Sequence, residues 1–272
     1  MTGLFQDYPK LEYSGLLMAI MEDGFEYAPR GQKVKELLNV QLEVTPACLY
    51  DFGKVRPIEK TLGYWKHEWA WYMSGDRKAD YIEKQAKMWS EIKTQDGMLN
   101  SNYGYLVFYR EQEPSLNPFQ WAEYSLSKDR DSRQAVVTYN GGQVNIPGNK
   151  DYLCTQYQHF MIRGASLVCF IGLRSSDAIF GLPNNMPWWS FVQQQLFRKL
   201  KPLYQELELG PIIVTIDSAH VYERHFELVE KMLAIEPEVS KINLKHEVPL
   251  GKDAEWYYKN FGEFIDIGKE EE

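Results

Sequence analysis

The 272-residue sequence contains no run approaching the roughly 20 consecutive apolar residues that a membrane span requires, which argues against insertion into a bilayer. Its opening residues lack a charged segment followed by an apolar one, so a secretory signal is not expected. Cysteine is scarce: Cys48, Cys154 and Cys169 are odd in number and lack the CxxC spacing of a zinc site or redox pair. They suit a reducing cytoplasm, and any special cysteine among them would be a nucleophile. No basic excess exists either, because 30 Lys and Arg stand against 38 Asp and Glu, a net charge of −8. That balance argues against a nucleic-acid coat, whereas a small anionic ligand needs only a few converging arginines. No internal repeat, long Pro/Gly/Ser linker or metal-ligand pattern is present, so a single domain over 1–272 is expected, with 265–272 as a flexible acidic tail.

What is there is the composition of a folded protein, 44% apolar and 14% aromatic. Residues 13–23 read as a short helix stopped by Gly24, and 60–73 as an aromatic-rich buried helix stopped near Gly75. Segments 105–109, 135–139, 156–162 and 167–173 are short runs rich in Val, Ile, Tyr and Phe, and read as strands. The last two are split by Arg163-Gly164 and predict a hairpin. Residues 188–203 read as a helix, 212–216 as a buried strand and 222–233 as another helix. Strands and helices mix without strict alternation, so the expected class is α+β.

Cys154 lies in Asp-Tyr-Leu-Cys-Thr-Gln, just ahead of a predicted strand. A buried cysteine is commonly a small hydrophobe. Its neighbourhood changes with Leu-Arg-Ser-Ser-Asp at 173–177, one strand further on: if the two strands pair, Arg174 returns beside Cys154, where a guanidinium favours the attacking thiolate. A structural salt bridge is the alternative role for Arg174. Gly-Leu-Pro-Asn-Asn at 181–185 has the composition of a turn, and the Asn185 amide donates and accepts at once, matching a uracil edge. His220 and Tyr222 leave a strand end two residues apart, a position also compatible with hydrogen-bonded core groups.

Taken in order, these segments resemble the thymidylate synthase superfamily from about Tyr13 to about Leu233. Glu68 lies in Glu-Trp-Ala-Trp-Tyr-Met-Ser-Gly, like the family's Glu-x-x-Trp helix, and Asn-Tyr-Gly at 102–104 is like its Tyr-Gly turn. Asp-Ser-Arg at 131–133 is like its Ser-Arg-Arg phosphate segment, and Cys154, Arg174-Ser175-x-Asp177, Gly181-Leu182-Pro183-x-Asn185 and His220-x-Tyr222 complete the series. The resemblance implies a mixed central sheet flanked by helices and a sheet-mediated homodimer. It implies that Cys154 adds to C6 of a pyrimidine nucleotide, so that C5 attacks the one-carbon unit of 5,10-methylenetetrahydrofolate, with no metal. Glu68 would organise water and protons around the base, and Tyr103 would belong to the network removing the C5 proton. Arg30, Arg174 and Ser175 would hold the 5′-phosphate, with Arg133 reaching it from the partner subunit. His220 and Tyr222 would hold the ribose, Asn185 and Asp177 would face the base, and Trp89 and Asp177 would contact the folate.

Several positions depart from an ordinary thymidylate synthase. That enzyme usually has Pro-Cys-His at the nucleophile and Pro-Phe-Asn at the base reader, where this chain has Leu153-Cys154-Thr155 and Pro183-Asn184-Asn185. It has Gly-Asp ahead of the ribose histidine, where Asp217-Ser218 stand here. These variants are similar to bacteriophage deoxycytidylate hydroxymethylases, as are Asn100-Ser101-Asn102-Tyr103-Gly104 and His220-Val221-Tyr222-x-Arg224-His225. Those relatives let water attack the exocyclic methylene and release tetrahydrofolate, whereas thymidylate synthase closes an apolar C-terminal segment and excludes water. Asp266-Ile267-Gly268-Lys269 and three glutamates do not resemble that segment. Deoxycytidylate hydroxymethylases carry Asp where Asn185 stands, so the combined expectation is a deoxyuridylate hydroxymethylase serving modified viral DNA, in a host cytoplasm. Gln134 replaces the family's second phosphate arginine. Plain thymidylate synthase, a dCMP hydroxymethylase and a non-catalytic nucleotide or RNA binder are the competing readings.

Overall fold

The structure, a computed structural model, describes residues 12–44, 49–110 and 116–269. Cys48 and residues 270–272 of the expected tail lie outside the described residues. In chain order the elements are α1 (Tyr13–Asp23), β1 (Phe25–Tyr27), β2 (Val34–Val44), β3 (Leu49–Asp51), α2 (Ile58–Ser74), α3 (Lys87–Ile92), α4 (Pro118–Lys128) and β4 (Val136–Thr138). They continue with β5 (Thr155–Arg163), β6 (Ser166–Leu173), β7 (Ser176–Asp177), α5 (Gly181–Leu200), β8 (Glu208–Tyr222), α6 (Phe226–Leu233), β9 (Glu238–Leu244), α7 (Ala254–Lys259), α8 (Phe261–Phe264) and β10 (Ile265–Lys269).

The main sheet runs β1-β2-β8-β6-β5-β4, with β7 also alongside β8, and β10-β9-β3 form a small second sheet. β6 and β7 run parallel to β8 while the other pairs of the main sheet are antiparallel, so the sheet is mixed and the class is α+β as expected. Residues on one side of β5, β6 and β8, such as Phe160, Cys169, Ile171 and Val214, are fully buried with the tryptophans of α2 and α5. Residues on the other side, including Tyr157, His159, Met161 and Phe170, stay half-exposed or exposed. The buried side is an aromatic core in which Trp69 meets Phe191 edge-on at 5.7 Å and Tyr72 meets Trp188 at 4.9 Å, the geometries that ring quadrupoles favour. Among the described residues no helix is long and apolar enough to cross a membrane.

The expected helix over 60–73 forms as α2, and Gly75 ends it in the left-handed region at φ 66°. The 156–162 and 167–173 strands pair as a hairpin that turns at Gly164, φ 59°. Four expectations are corrected. Residues 105–109 form a π-helix, Tyr105–Tyr109, in which the Arg110 N–H donates to Tyr105 O. A short continuous apolar run is ambiguous between strand and buried helix, and here Asn102 decides it. That fully buried side chain donates to Trp71 O and Asp76 O, and its Oδ1 accepts from Tyr105 N, which starts a helical turn.

Residues 181–185 are the opening of α5, and not a free turn, because Pro183 falls in the first turn where an N–H has no intrahelical partner. The expected helix over 222–233 begins only at Phe226, after a 3-10 turn over Glu223–His225. His220 and Tyr222 therefore belong to the end of β8 itself. Finally, Ile265–Lys269 of the expected tail is strand β10, paired residue for residue with β9.

Gly104 joins the Tyr103 turn to the π-helix where α2 passes closest. A Cβ there would lie 1.7 Å from Tyr72 O, and backbone cannot yield as a flexible side chain does. Gly104→Ala should therefore cost about 2–3 kcal/mol of stability, read by urea denaturation, with the Tyr103 turn displaced. A loss below about 0.5 kcal/mol would show that the two segments separate easily.

Candidate active site

Thr155 pairs with Leu173, so the residues just outside the hairpin, Cys154 and Arg174, are neighbours. The Arg174 N–H donates to Cys154 O at 3.1 Å. Its guanidinium donates through Nε to Leu153 O at 2.9 Å and through Nη2 to Tyr152 O at 2.7 Å, and Nη2 lies 3.7 Å from Cys154 Sγ. A β-bulge follows at once, between Thr155 and Tyr157. There the Gln156 amide donates to both Leu153 O and Cys154 O, clasping the nucleophile segment from the other side.

Burial is the largest influence on the Cys154 thiol and pushes it above its ordinary value; Arg174 and Arg30 pull it down, while Asp151 and Asp177 push it up. In the free chain the sulfur is held protonated beside a cation that stabilises its thiolate. Cys169, by contrast, is buried on the sheet against the Gln158 amide, and its thiol is raised much further. Arg30 occupies the left-handed region at φ 56°, between Pro29 and Gly31, in an exposed turn. Its charge acts on both Cys154 and His220, which places it at the mouth of the same site.

The parallel pairing of β7 with β8 sets Asp177 opposite His220. Ser175 Oγ lies 3.4 Å from His220 Nδ1, and the His220 and Tyr222 rings meet edge-on at 5.1 Å. Burial lowers the His220 pKa, against the opposing pull of Asp177. Asp177 Oδ1 accepts from Ile179 N and Phe180 N, which fixes the lead into α5, and Phe180 remains 47% exposed beside it. Gly181 packs against Asp177, and Asn185 stands half-buried one helical turn further along α5.

Glu68 leads through Tyr72 and Tyr103 to the residue after Cys154. Glu68 is 4% exposed, and burial raises its carboxyl to about 7 although the Tyr64 and Tyr72 hydroxyls draw it down. Tyr72 stacks on Tyr103 at 5.3 Å, and the Tyr103 hydroxyl accepts from Thr155 N at 3.4 Å. Asp151 anchors the Tyr103 turn to the nucleophile segment by accepting from Asn100 N and Ser101 N.

Two expected residues stand apart. Trp89 is 4% exposed, and its Nε1 donates to Tyr64 at 2.9 Å, so little of its ring faces open space. Arg133 is exposed beside His159 on the sheet and is not among the charges acting on Cys154. Tyr64, Tyr72, Asp151, Gln156 and Phe180 escaped the sequence reading. For Tyr64, Glu68 and Tyr72 the four-residue spacing along one helix face was the available signal.

A buried thiol with a guanidinium 3.7 Å away, joined through Thr155, Tyr103 and Tyr72 to a buried carboxyl raised to about 7, is an arrangement suited to covalent group transfer. Comparison with known proteins makes the class specific. A family model described as thymidylate synthase matches residues 11–261, and the chain belongs to that family. It is similar to the proteins named deoxycytidylate 5-hydroxymethyltransferase of Enterobacteria phages T4, T2 and T6, each 28% identical over 220 residues, covering 78% of this chain and 85% of the relative. The chain is thus a pyrimidine nucleotide one-carbon transferase.

If Arg174 controls the thiolate, Arg174→Ala should raise the Cys154 titration by about one pH unit and slow alkylation by iodoacetamide near pH 7.5 about tenfold, after subtraction of a Cys154→Ser background. An unchanged rate would remove Arg174 from that role.

Proposed function

We propose that the chain is a hydroxymethyltransferase that converts dUMP to 5-hydroxymethyl-dUMP. The Cys154–Arg174 contact supports the covalent route: the thiolate adds to C6, C5 becomes nucleophilic and takes the one-carbon unit, and elimination of the thiolate regenerates Cys154. 5,10-Methylenetetrahydrofolate supplies that unit as co-substrate. The donor set suits it, since the Asp177 carboxylate accepts from N–H groups and the exposed Phe180 ring beside it offers a stacking face. Trp89, largely enclosed, takes the lesser share of this contact.

Glu68, with its carboxyl near 7, exchanges protons and holds water close to the base at working pH. Tyr103 lines the path of the C5 proton. Loss of the C5 proton with cleavage of the bond between the transferred carbon and folate N5 releases tetrahydrofolate and leaves an exocyclic methylene; water adds to it, giving the 5-hydroxymethyl group that the phage relatives are named for, as the Cys154 thiolate leaves C6. Arg30, Arg174 and Ser175 hold the 5′-phosphate, and His220 and Tyr222 hold the ribose.

Uracil as the base is supported by one observation, Asn185 on α5. Its amide pairs with both the carbonyl and the ring N–H of uracil, a pattern that a carboxylate cannot offer in ionised form. The relatives are named for deoxycytidylate, so the uracil reading rests on Asn185 and not on them. The half-exposed sheet side and the outlying Arg133 support a homodimer in which each subunit lends Arg133 to its partner's phosphate.

Incubation with dUMP, and separately dCMP, plus methylenetetrahydrofolate should yield hydroxymethyl-dUMP without dihydrofolate absorbance. Thymidylate with dihydrofolate, or hydroxymethyl-dCMP alone, would each overturn the reading. Asn185→Asp should shift preference toward dCMP by about tenfold or more. Mixing Arg133→Ala with Cys154→Ser subunits should recover activity that neither possesses alone. Absence of recovery in mixed dimers would exclude the shared site.

A further inference from the structure

The site leaves one polar side chain without a stated task. Tyr64, half-buried on α2, donates its hydroxyl to Glu68 Oε1 at 2.9 Å and accepts from Trp89 Nε1 at 2.9 Å. The Trp89 ring is itself fixed, edge-on against Trp71 at 5.1 Å. Glu68 Oε2 is buried and has no hydrogen-bond partner among the described residues. One oxygen of the carboxyl therefore accepts from a hydroxyl that Trp89 holds in turn, the Tyr72 hydroxyl lies close enough to draw the carboxyl down, and Oε2 keeps acceptor capacity to spare. Buried polar atoms are nearly always paired, so an unpaired carboxyl oxygen marks the position where a ligand group or water completes the shell.

We propose that Tyr64 is a positioning residue for this reaction: held by Trp89, it grips one oxygen of Glu68 and aims the other at the nucleotide. The inference rests on Glu68 having the acid–base role proposed above. Spacing explains how the grip is built. Tyr64, Glu68 and Tyr72 recur every four residues, so they form one stripe along α2. Tyr72 continues that stripe onto Tyr103 through their stacked rings, and Tyr103 meets the nucleophile segment at Thr155. Trp89 thus stands at one end of a continuous line of contacts and Cys154 at the other, with Glu68 between them.

The titratable groups around Glu68 are Tyr64 and Tyr72 on its own helix, with Tyr103 and Asp151 reaching it only by way of Tyr72. Among the described residues no cation adjoins the carboxyl in these contacts, so the tyrosine hydroxyls are the groups that favour its ionised form. A Tyr64 donor lost from Oε1 disfavours the carboxylate, and the direction of the resulting change is upward.

The test is Tyr64→Phe, which keeps the ring and deletes the hydroxyl. The Glu68 carboxyl is followed by infrared difference spectroscopy across pH, its band assigned with Glu68→Gln, and the pH profile of turnover is measured alongside. The Glu68 midpoint should rise by about one pH unit, the corresponding limb of the turnover profile should move with it, and KM for the nucleotide should stay within about twofold. Trp89→Phe, which withdraws the donor to the Tyr64 oxygen, should move both in the same direction by less. It also serves if Tyr64→Phe fails to fold. An unmoved Glu68 midpoint in either folded variant overturns the proposal. Should the wild-type protein turn over neither dUMP nor dCMP, the functional reading fails separately, and the infrared titration still decides the role of Tyr64.

Discussion

The register of one hairpin, Thr155 opposite Leu173, is the constraint on which the site depends. It carries Arg174 back to the sulfur and lets the guanidinium bind the carbonyls of Tyr152 and Leu153, so guanidinium and thiol are tied together through backbone. At Gly172 the Tyr157 ring lies over the backbone, where a Cβ would meet it at 2.4 Å and turn that exposed ring aside. The parallel pairing of β6 and β7 with β8 then propagates the register and fixes Ser175 and Asp177 beside His220. A slip of one residue would turn each side chain to the other face of the sheet, and the constellation would be lost as a whole.

Desolvation is the common cause behind the reactive groups. It is the largest influence on Cys154, Glu68 and His220, and in each it favours the uncharged form. Around the thiol, Arg174 and Arg30 act against this desolvation while Asp151 and Asp177 act with it, and of these Arg30 is the exposed one.

Much of this was legible in the chain. Helices ended by Gly24 and Gly75, the hairpin at Gly164, and the return of Arg174 to Cys154 all follow from local signals, since each depends on a glycine or on strand pairing between neighbours in sequence. The misreadings share a cause as well. The run over Tyr105–Tyr109 has strand composition, and only the distant carbonyls of Trp71 and Asp76, gathered by Asn102, make it helical. Strand β10 looked like a charged tail because its partner β9 supplies the order. Asp151 was invisible for the same reason, since its partners Asn100 and Ser101 are brought to it only by folding, whereas the four-residue spacing of Tyr64 from Glu68 was there to be read.

The division of labour between sheet and helix carries one more implication. Cys154 and Arg174 sit at the open end of the β5–β6 hairpin and His220 and Tyr222 on β8, whereas Asn185 rides on α5, which packs onto that sheet through apolar side chains. The Cys154 thiol and the Asn185 amide therefore sit on separate mechanical supports. On the function proposed above, a lineage can exchange residue 185 without disturbing the hairpin that carries the thiol, so that a change of base in the product requires the retuning of a single helix.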